Sequence, residues 1–306
     1  MPLFSVIVPT FNRADLLAET LQSVFAQRFA DYEVIVADDG STDGTAEVLE
    51  QYRGRLRVVR QSNKGPGSAR NLAAASATGD YFAFLDSDDV WFPWTLDVYA
   101  AVVIGSSPVF IAGKPAIFQE PSKLRTVSEV PAATERFADY LASGDEWRWY
   151  STSSFVVRAE AFRAVGGFAA DWINGEDADL AMRLGTAGLF VQVTAPPTFG
   201  YRDHGASLVS HSHRTLAGVL HALRMEQGDR YPGGRARAKE RHTILSRHFR
   251  PVMLTCLQQG QFSQAWQLYW ATWSWHWELR RFRFLGGFPL KALLAAGRSH
   301  TQERVA

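Results

Sequence analysis

The chain has 306 residues, 46% of them hydrophobic, with 32 Lys and Arg against 31 Asp and Glu and one cysteine, Cys256. That apolar content suffices for a large core and excludes a disordered protein, a lone cysteine excludes an internal disulfide, and no apolar run approaches the ~18 residues of a membrane span. The net charge of +1 conceals an asymmetry, since residues 1–234 carry 20 Lys and Arg against 28 Asp and Glu while residues 235–306 carry 12 against 3.

Phe4 to Val8 reads as a short strand, Leu16 to Phe25 spaces its apolar residues as one helical face, and Tyr32 to Ala37 is a second apolar strand. Thr45 to Tyr52 is a predicted helix, Leu56 to Arg60 a strand, Ser68 to Ala77 an Ala-rich helix, and Tyr81 to Leu85 a fourth strand. Such β-α-β units need right-handed crossovers. The expected fold is therefore α/β, a doubly wound, mostly parallel sheet that binds ligands at the carboxyl ends of its strands. From about residue 113 to 148 the pattern weakens into an irregular excursion. It resumes at Tyr150 to Val157, with a short helix over Ala159 to Val165, a helix over Glu176 to Leu184 and a strand over Phe190 to Thr194. No secretion signal precedes Ser5-Val6-Ile7-Val8, so the expectation is a cytoplasmic protein whose membrane contact, if any, is peripheral and at the inner face.

The polar residues fall at the strand tips. Strand one ends in Pro9-Thr10-Phe11-Asn12-Arg13, strand two in Asp38-Asp39-Gly40-Ser41, strand three in Gln61-Ser62-Asn63-Lys64-Gly65, and strand four in Asp86-Ser87-Asp88-Asp89. An isolated D-x-D is most simply an acidic turn capping the next helix. Clustered carboxylates on a buried strand, however, repel unless a cation sits among them, and hard oxygens suit Mg2+ or Mn2+. Asp43 or Ser41 could be a plain N-cap, but that leaves Asp38 and Asp39 unexplained, and a carboxylate there can accept a base N–H or a ribose hydroxyl. Gly65-Pro66-Gly67-Ser68-Ala69-Arg70-Asn71 is either a plain helix start or a nucleotide contact through Arg70. No G-x-G-x-x-G follows the first strand and no P-loop occurs. Asn174-Gly175-Glu176-Asp177-Ala178-Asp179 puts three acids in the first turn of a helix. One complements the helix dipole; another can serve as a general base. His204, in a glycine-containing loop after the last strand, is either structural or a metal ligand beside Asp88.

In this order and spacing the segments over residues 3–210 resemble the family 2 glycosyltransferases with the GT-A fold. The resemblance implies an inverting transfer of a sugar from a nucleoside-diphosphate donor, UDP by preference, to a hydroxyl of a glycan or lipid-linked acceptor, in cell-surface polysaccharide or glycolipid synthesis. On that pattern Pro9 and Thr10, with Asn12 and Arg13, line the nucleoside pocket, and Asp39 with Asp38 holds the base. Arg70 assists, Asp86 and Ser87 meet the nucleotide, Asp88 and His204 hold a Mn2+ or Mg2+ ion, and Asp177 is the base with Glu176 beside it. Sugar-selecting residues are expected before Tyr150 and around Ser151 to Ser154. A nucleotidyltransferase acting on a sugar phosphate, or a catalytically silent nucleotide-sugar-binding protein, is the alternative.

Gly228, Pro232, Gly233 and Gly234 read as a linker, which divides the chain into a domain over 1–230 and a basic helical region over 231–306 holding Trp266, Trp270, Trp273, Trp275 and Trp277. That region either packs its aromatics as a small helical bundle or meets an anionic membrane surface. Nucleic acid is not an expected partner, because no recognition motif accompanies the charge.

Overall fold

The computed structural model describes residues 1–149, 151–170, 173–203 and 212–303. Two compact units divide the chain, the first formed by residues 1–172 with 176–207 and the second by 173–175 with 208–306.

The first unit follows the alternation of its sequence. In chain order it contains β1 (Phe4–Thr10), α1 (Ala14–Phe25), β2 (Tyr32–Asp38), α2 (Thr45–Glu50), β3 (Arg57–Arg60), α3 (Pro66–Ser76), β4 (Tyr81–Phe84), β5 (Val90–Trp91) and α4 (Thr95–Ser106). It continues with β6 (Phe110–Ala112), β7 (Pro115–Phe118), β8 (Ala133–Phe137), β9 (Phe155–Arg158), α5 (Ala159–Ala164), α6 (Glu176–Arg183), β10 (Phe190–Ala195) and β11 (Phe199–Arg202). Eight strands form one sheet in the order β3-β2-β1-β4-β9-β6-β10-β8, and β5-β11-β7 form a second, small one. β1 pairs in parallel with β2 on one side and β4 on the other, which makes the gap between β1 and β4 the point where strand order reverses. β9 and β8 run antiparallel to their neighbours, so the sheet is mixed but parallel around the reversal.

Packing explains why these strands read as continuous apolar runs. Leu17, Leu21 and Val24 of α1 join Val6, Val8, Val34 and Val36 in one core cluster. Elsewhere Phe84 meets Phe162 and Phe168 at 5.6 and 5.1 Å. Each fully buried side chain of this size contributes roughly 1.5–3 kcal/mol.

Outside the irregular excursion, four elements have no counterpart in the predicted pattern: β5, α4, β6 and β11. α4 buries Leu96, Val98, Tyr99, Ala100, Val102 and Val103 on several sides, so its sequence shows no 3.6-residue period, and β6 is three buried residues long. The irregular excursion contains ordered structure as well: β7 lies in the small sheet, and β8 closes the edge of the large one.

The second unit contains α7 (Ser212–Gln227), α8 (Ala238–Gln258), α9 (Phe262–Glu278) and α10 (Phe282–Glu303). The expected boundary near residue 230 falls inside it. Arg241 of α8 is buried and takes Glu226 of α7 in a two-pronged pair at 2.7 and 2.9 Å, and it also donates to the carbonyls of Pro232 and Gly234. The Gly and Pro residues there form the turn of a helical hairpin. Aromatics join the other helices: His242 stacks on Trp275 at 4.5 Å and Tyr269 on Phe288 at 4.6 Å. Among the described residues no helix is long and apolar enough to cross a membrane.

Candidate active site

The carboxyl ends of β1, β2 and β3 are tied together by their own side chains. Asn12 takes a left-handed backbone (φ 50°), which Asn adopts more readily than most residues. Its N–H donates to Ser41 Oγ at 3.0 Å and its Oδ1 accepts from Thr42 N–H at 2.8 Å. Asp38 is buried, accepts from Ser41 N–H at 2.8 Å and pairs with Arg60 at 3.1 Å. Gly40 (φ +84°) passes so close to the loop after β3 that a Cβ would stand 3.1 Å from Asn63 N and from Gln61 O.

Asp39 organises that loop. Its carboxylate accepts from Gln61 Nε2 at 2.7 Å, Lys64 N–H at 2.9 Å and Gly65 N–H at 2.8 Å, which occupies most of its acceptor capacity. Two side-chain oxygens beside it, Thr10 Oγ1 and Asn63 Oδ1, are buried without a hydrogen-bond partner. Such groups cost about 1–3 kcal/mol each unless a ligand or water completes them. Phe11, at the tip of β1, is 41% exposed. Of these, Asn63 and Phe11 were named in the sequence only as parts of their loops; an unpaired amide and an exposed ring have no signature in one sequence.

α3 begins at Pro66 and lies close to the chain at Phe168–Ala169, where a Cβ on Gly67 would come within 2.6 Å of Ala169 O. One turn later Arg70, 3% exposed, holds Asp86 Oδ1 at 2.5 Å and Glu176 Oε1 at 3.0 Å, over the ring of Phe168. Burial opposes its charge, but the two carboxylates outweigh burial and raise its proton affinity. Arg13 lies 3.8 Å from Asp88.

The D-x-D turn is braced from behind. Ser153 Oγ accepts the backbone N–H of Asp86 at 3.0 Å and donates to Asp89 Oδ2 at 2.6 Å. The N–H of Arg202 donates to Asp89 Oδ1 at 3.0 Å, its Nε donates to the carbonyl of Asp88 at 2.9 Å, and its guanidinium pairs with Glu19. Asp89 is 1% exposed; burial first, then the charges of Asp88 and Asp86, push its carboxyl well above the usual range. The Ser151 to Ser154 segment was expected to select a sugar. Thr152, Ser153 and Ser154 are buried, and Ser153 supports the turn. Ser87 is buried as well.

The three acids of α6 separate by partner. Glu176 belongs to Arg70, and Asp179 pairs with Arg183 one turn on at 2.7 Å. Asp177 has no ion pair of its own among the described residues and accepts only from Ala178 N–H at 2.7 Å. Burial and the charge of Glu176 push its carboxyl up to about 7, against the opposing pull of Ala178 N–H and Arg70. A carboxylate poised near neutrality is what proton abstraction from a hydroxyl requires.

Among the described residues no three Asp, Glu, His or Cys side chains converge as a ready metal cage, and His204 lies outside the described residues. The donor chemistry nonetheless fits a divalent ion. Asp86, Asp88 and Glu176 are held by two guanidiniums, Arg13 and Arg70, while Asp177 follows Glu176 without an ion pair of its own among the described residues, and hard oxygens with surplus negative charge suit Mg2+ or Mn2+. The sequence-predicted residues Pro9, Thr10, Asn12, Arg13, Asp38, Asp39, Arg70, Asp86, Ser87, Asp88, Glu176 and Asp177 thus sit on strand ends and helix starts of one unit.

The model of glycosyl transferase family 2 matches residues 5–166. Validoxylamine A glucosyltransferase of Streptomyces hygroscopicus subsp. jinggangensis is 32% identical over 227 residues, covering 63% of this chain and 54% of that protein. The putative teichuronic acid biosynthesis glycosyltransferase TuaG of Bacillus subtilis is 47% identical over 94 residues, covering 29% and 37%. The chain spans about half the length of the curated relatives it matches. The crystal structure of S. aureus TarS residues 1–349 in complex with UDP superposes with a TM-score of 0.62 at 24% identity, covering 80% of this chain and 71% of that one, which shows the same fold.

Proposed function

The chain is a member of glycosyl transferase family 2 with the GT-A fold, and from that premise we propose that it moves a sugar from a nucleoside-diphosphate donor, with UDP as the nucleotide, to a hydroxyl of a glycan or lipid-linked acceptor. The observation that carries the reading is the reach of one side chain. Arg70 touches both Asp86 of the D-x-D turn and Glu176 at the start of α6, so the acids of the donor side and those of the base side share one guanidinium. The sugar-transferring relatives support the reaction class, and the UDP held by TarS supports the nucleotide.

In this reading Thr10 Oγ1 and Asn63 Oδ1 complete their hydrogen bonds on the nucleoside, in a pocket that Asp39 and Asp38 shape through their loops. Phe11 stacks on the base. Asp86 and Ser87 meet the ribose side of the donor. Asp88, with Asp86, would hold Mn2+ or Mg2+, which supplies neutralisation of the charge that builds on the leaving diphosphate. Asp177 Oδ takes the proton of the acceptor hydroxyl as that oxygen bonds to the anomeric carbon. The bond from the carbon to the diphosphate breaks on the opposite face, so configuration inverts. A lipid-linked acceptor, or one in a growing cell-surface polysaccharide, would bring the reaction to the inner face of the membrane.

Calorimetric titration with UDP, GDP, dTDP and CDP, each with and without Mn2+, tests the donor. Binding of UDP that needs Mn2+ and disappears in Asp88→Ala is the expected result; binding of another diphosphate in its place, or of none, overturns the assignment.

A further inference from the structure

α9 is built with two faces. Its buried ridge is Ala265, Leu268, Tyr269, Thr272, Trp275 and His276, inside the helical unit. At about 100° per residue, Trp270, Trp273 and Trp277 fall together on the other side. They are 64%, 36% and 56% exposed. Trp266 stacks with Trp270 at 6.1 Å and Trp273 with Trp277 at 5.3 Å, so the indoles form a row and not isolated side chains. Phe282, itself exposed, meets Trp277 at 5.4 Å and leads into α10, where Leu290, Leu293 and Leu294 are exposed in turn. Seven of the fourteen large hydrophobic residues exposed among the described residues lie on these two helices. Apolar surface gathered in this way marks an interaction site.

Charge decides what the surface fits. Residues 235–306 carry 12 Lys and Arg against 3 Asp and Glu, and Arg280, Arg283 and Lys291 are exposed beside the row. The single acid of α9, Glu278, is engaged by His242 at 3.1 Å. Indoles suit the boundary between hydrocarbon and headgroup, where the ring is apolar and its N–H remains wet, while flanking cations reach anionic phosphates. We propose that the Trp270, Trp273 and Trp277 face of α9, extended by Phe282 and the exposed leucines of α10, docks the protein peripherally on an anionic lipid surface. This docking is independent of the active-site reading and uses none of its residues.

The test is flotation of the full chain with vesicles of phosphatidylcholine alone and of phosphatidylcholine with phosphatidylglycerol, with tryptophan emission recorded in parallel. Flotation with the anionic vesicles only, a blue-shifted emission and release by salt are expected. Binding should fall about tenfold in Trp270→Ser/Trp273→Ser/Trp277→Ser and, separately, in Arg280→Gln/Arg283→Gln/Lys291→Gln, with circular dichroism and nucleotide binding unchanged. Wild-type protein that stays at the bottom of the gradient with both vesicles overturns the proposal. So does equal flotation of wild type and the tryptophan variant. A dimer in light scattering that this variant dissociates, without flotation of either, assigns the face to a second copy instead.

Discussion

Ser153 and Asp89, sixty-four positions apart, share a 2.6 Å hydrogen bond directly beneath the D-x-D turn. The same hydroxyl receives the backbone N–H of Asp86, so one serine fixes both the first acid of the motif and the buried acid that follows it.

Ser153→Ala should therefore loosen the turn. It leaves the N–H of Asp86 and one oxygen of Asp89 without their partner, which costs about 1–3 kcal/mol of stability. Denaturant unfolding reads that loss, and donor KM should rise with it. A variant as stable as wild type would refute the bracing role.

Asp177→Asn should abolish transfer while sparing UDP binding. In the wild type the base must be ionised, so kcat/KM rises with pH through an apparent value near 7. Stability runs the other way. The folded carboxyl titrates above its unfolded value, so its contribution is present at low pH and is lost as pH rises through about 7. Asn at this position should raise Tm relative to wild type at pH 8, with the difference shrinking toward pH 4.

Arg70→Met removes the shared guanidinium from Asp86 and Glu176. Breaking a buried pair in this way costs on the order of 3–5 kcal/mol, less here because Asp86 is partly exposed. Arg70 also lowers the proton affinity of Asp177, so the acidic limb of the pH profile should move upward in the variant. Arg70→Lys keeps the charge but cannot fork between two carboxylates, and should recover the limb more than the stability.

Phe11→Ala should weaken UDP binding by about 1–3 kcal/mol, the range typical of a base stacked on an aromatic ring, and leave Tm unchanged because the ring is exposed. Calorimetry separates the two; unchanged affinity would remove Phe11 from the pocket.

Much of the site was legible because an α/β sheet displays its chemistry at strand tips: Thr10, Asp39 and Asp86 follow apolar runs that end abruptly. The pairing of those residues was not legible. Nothing in the sequence near Asp89 announces Ser153 or Arg202, since each contact spans more than sixty positions. Nor could acidity at the start of α6 be divided among Glu176, Asp177 and Asp179 until their cations, Arg70 and Arg183, had positions. α4 escaped for the opposite reason, being apolar on too many sides to show a period. The turn after α7 carries linker residues yet joins two packed helices, a distinction made by the buried Glu226 and Arg241 pair and by Arg241's bonds to the turn's carbonyls.

The large sheet ends in β3 on one side and β8 on the other. β3 begins and ends with exposed arginines, Arg57 and Arg60, and β8 exposes Glu135 and Arg136 side by side. A foreign strand adding to either border would have to lay its backbone beside these exposed charged side chains, which disfavours edge-to-edge fibre growth. The borders of the large sheet thus oppose polymerisation, and any turbidity in concentrated preparations should be sought first at the tryptophan-lined helices.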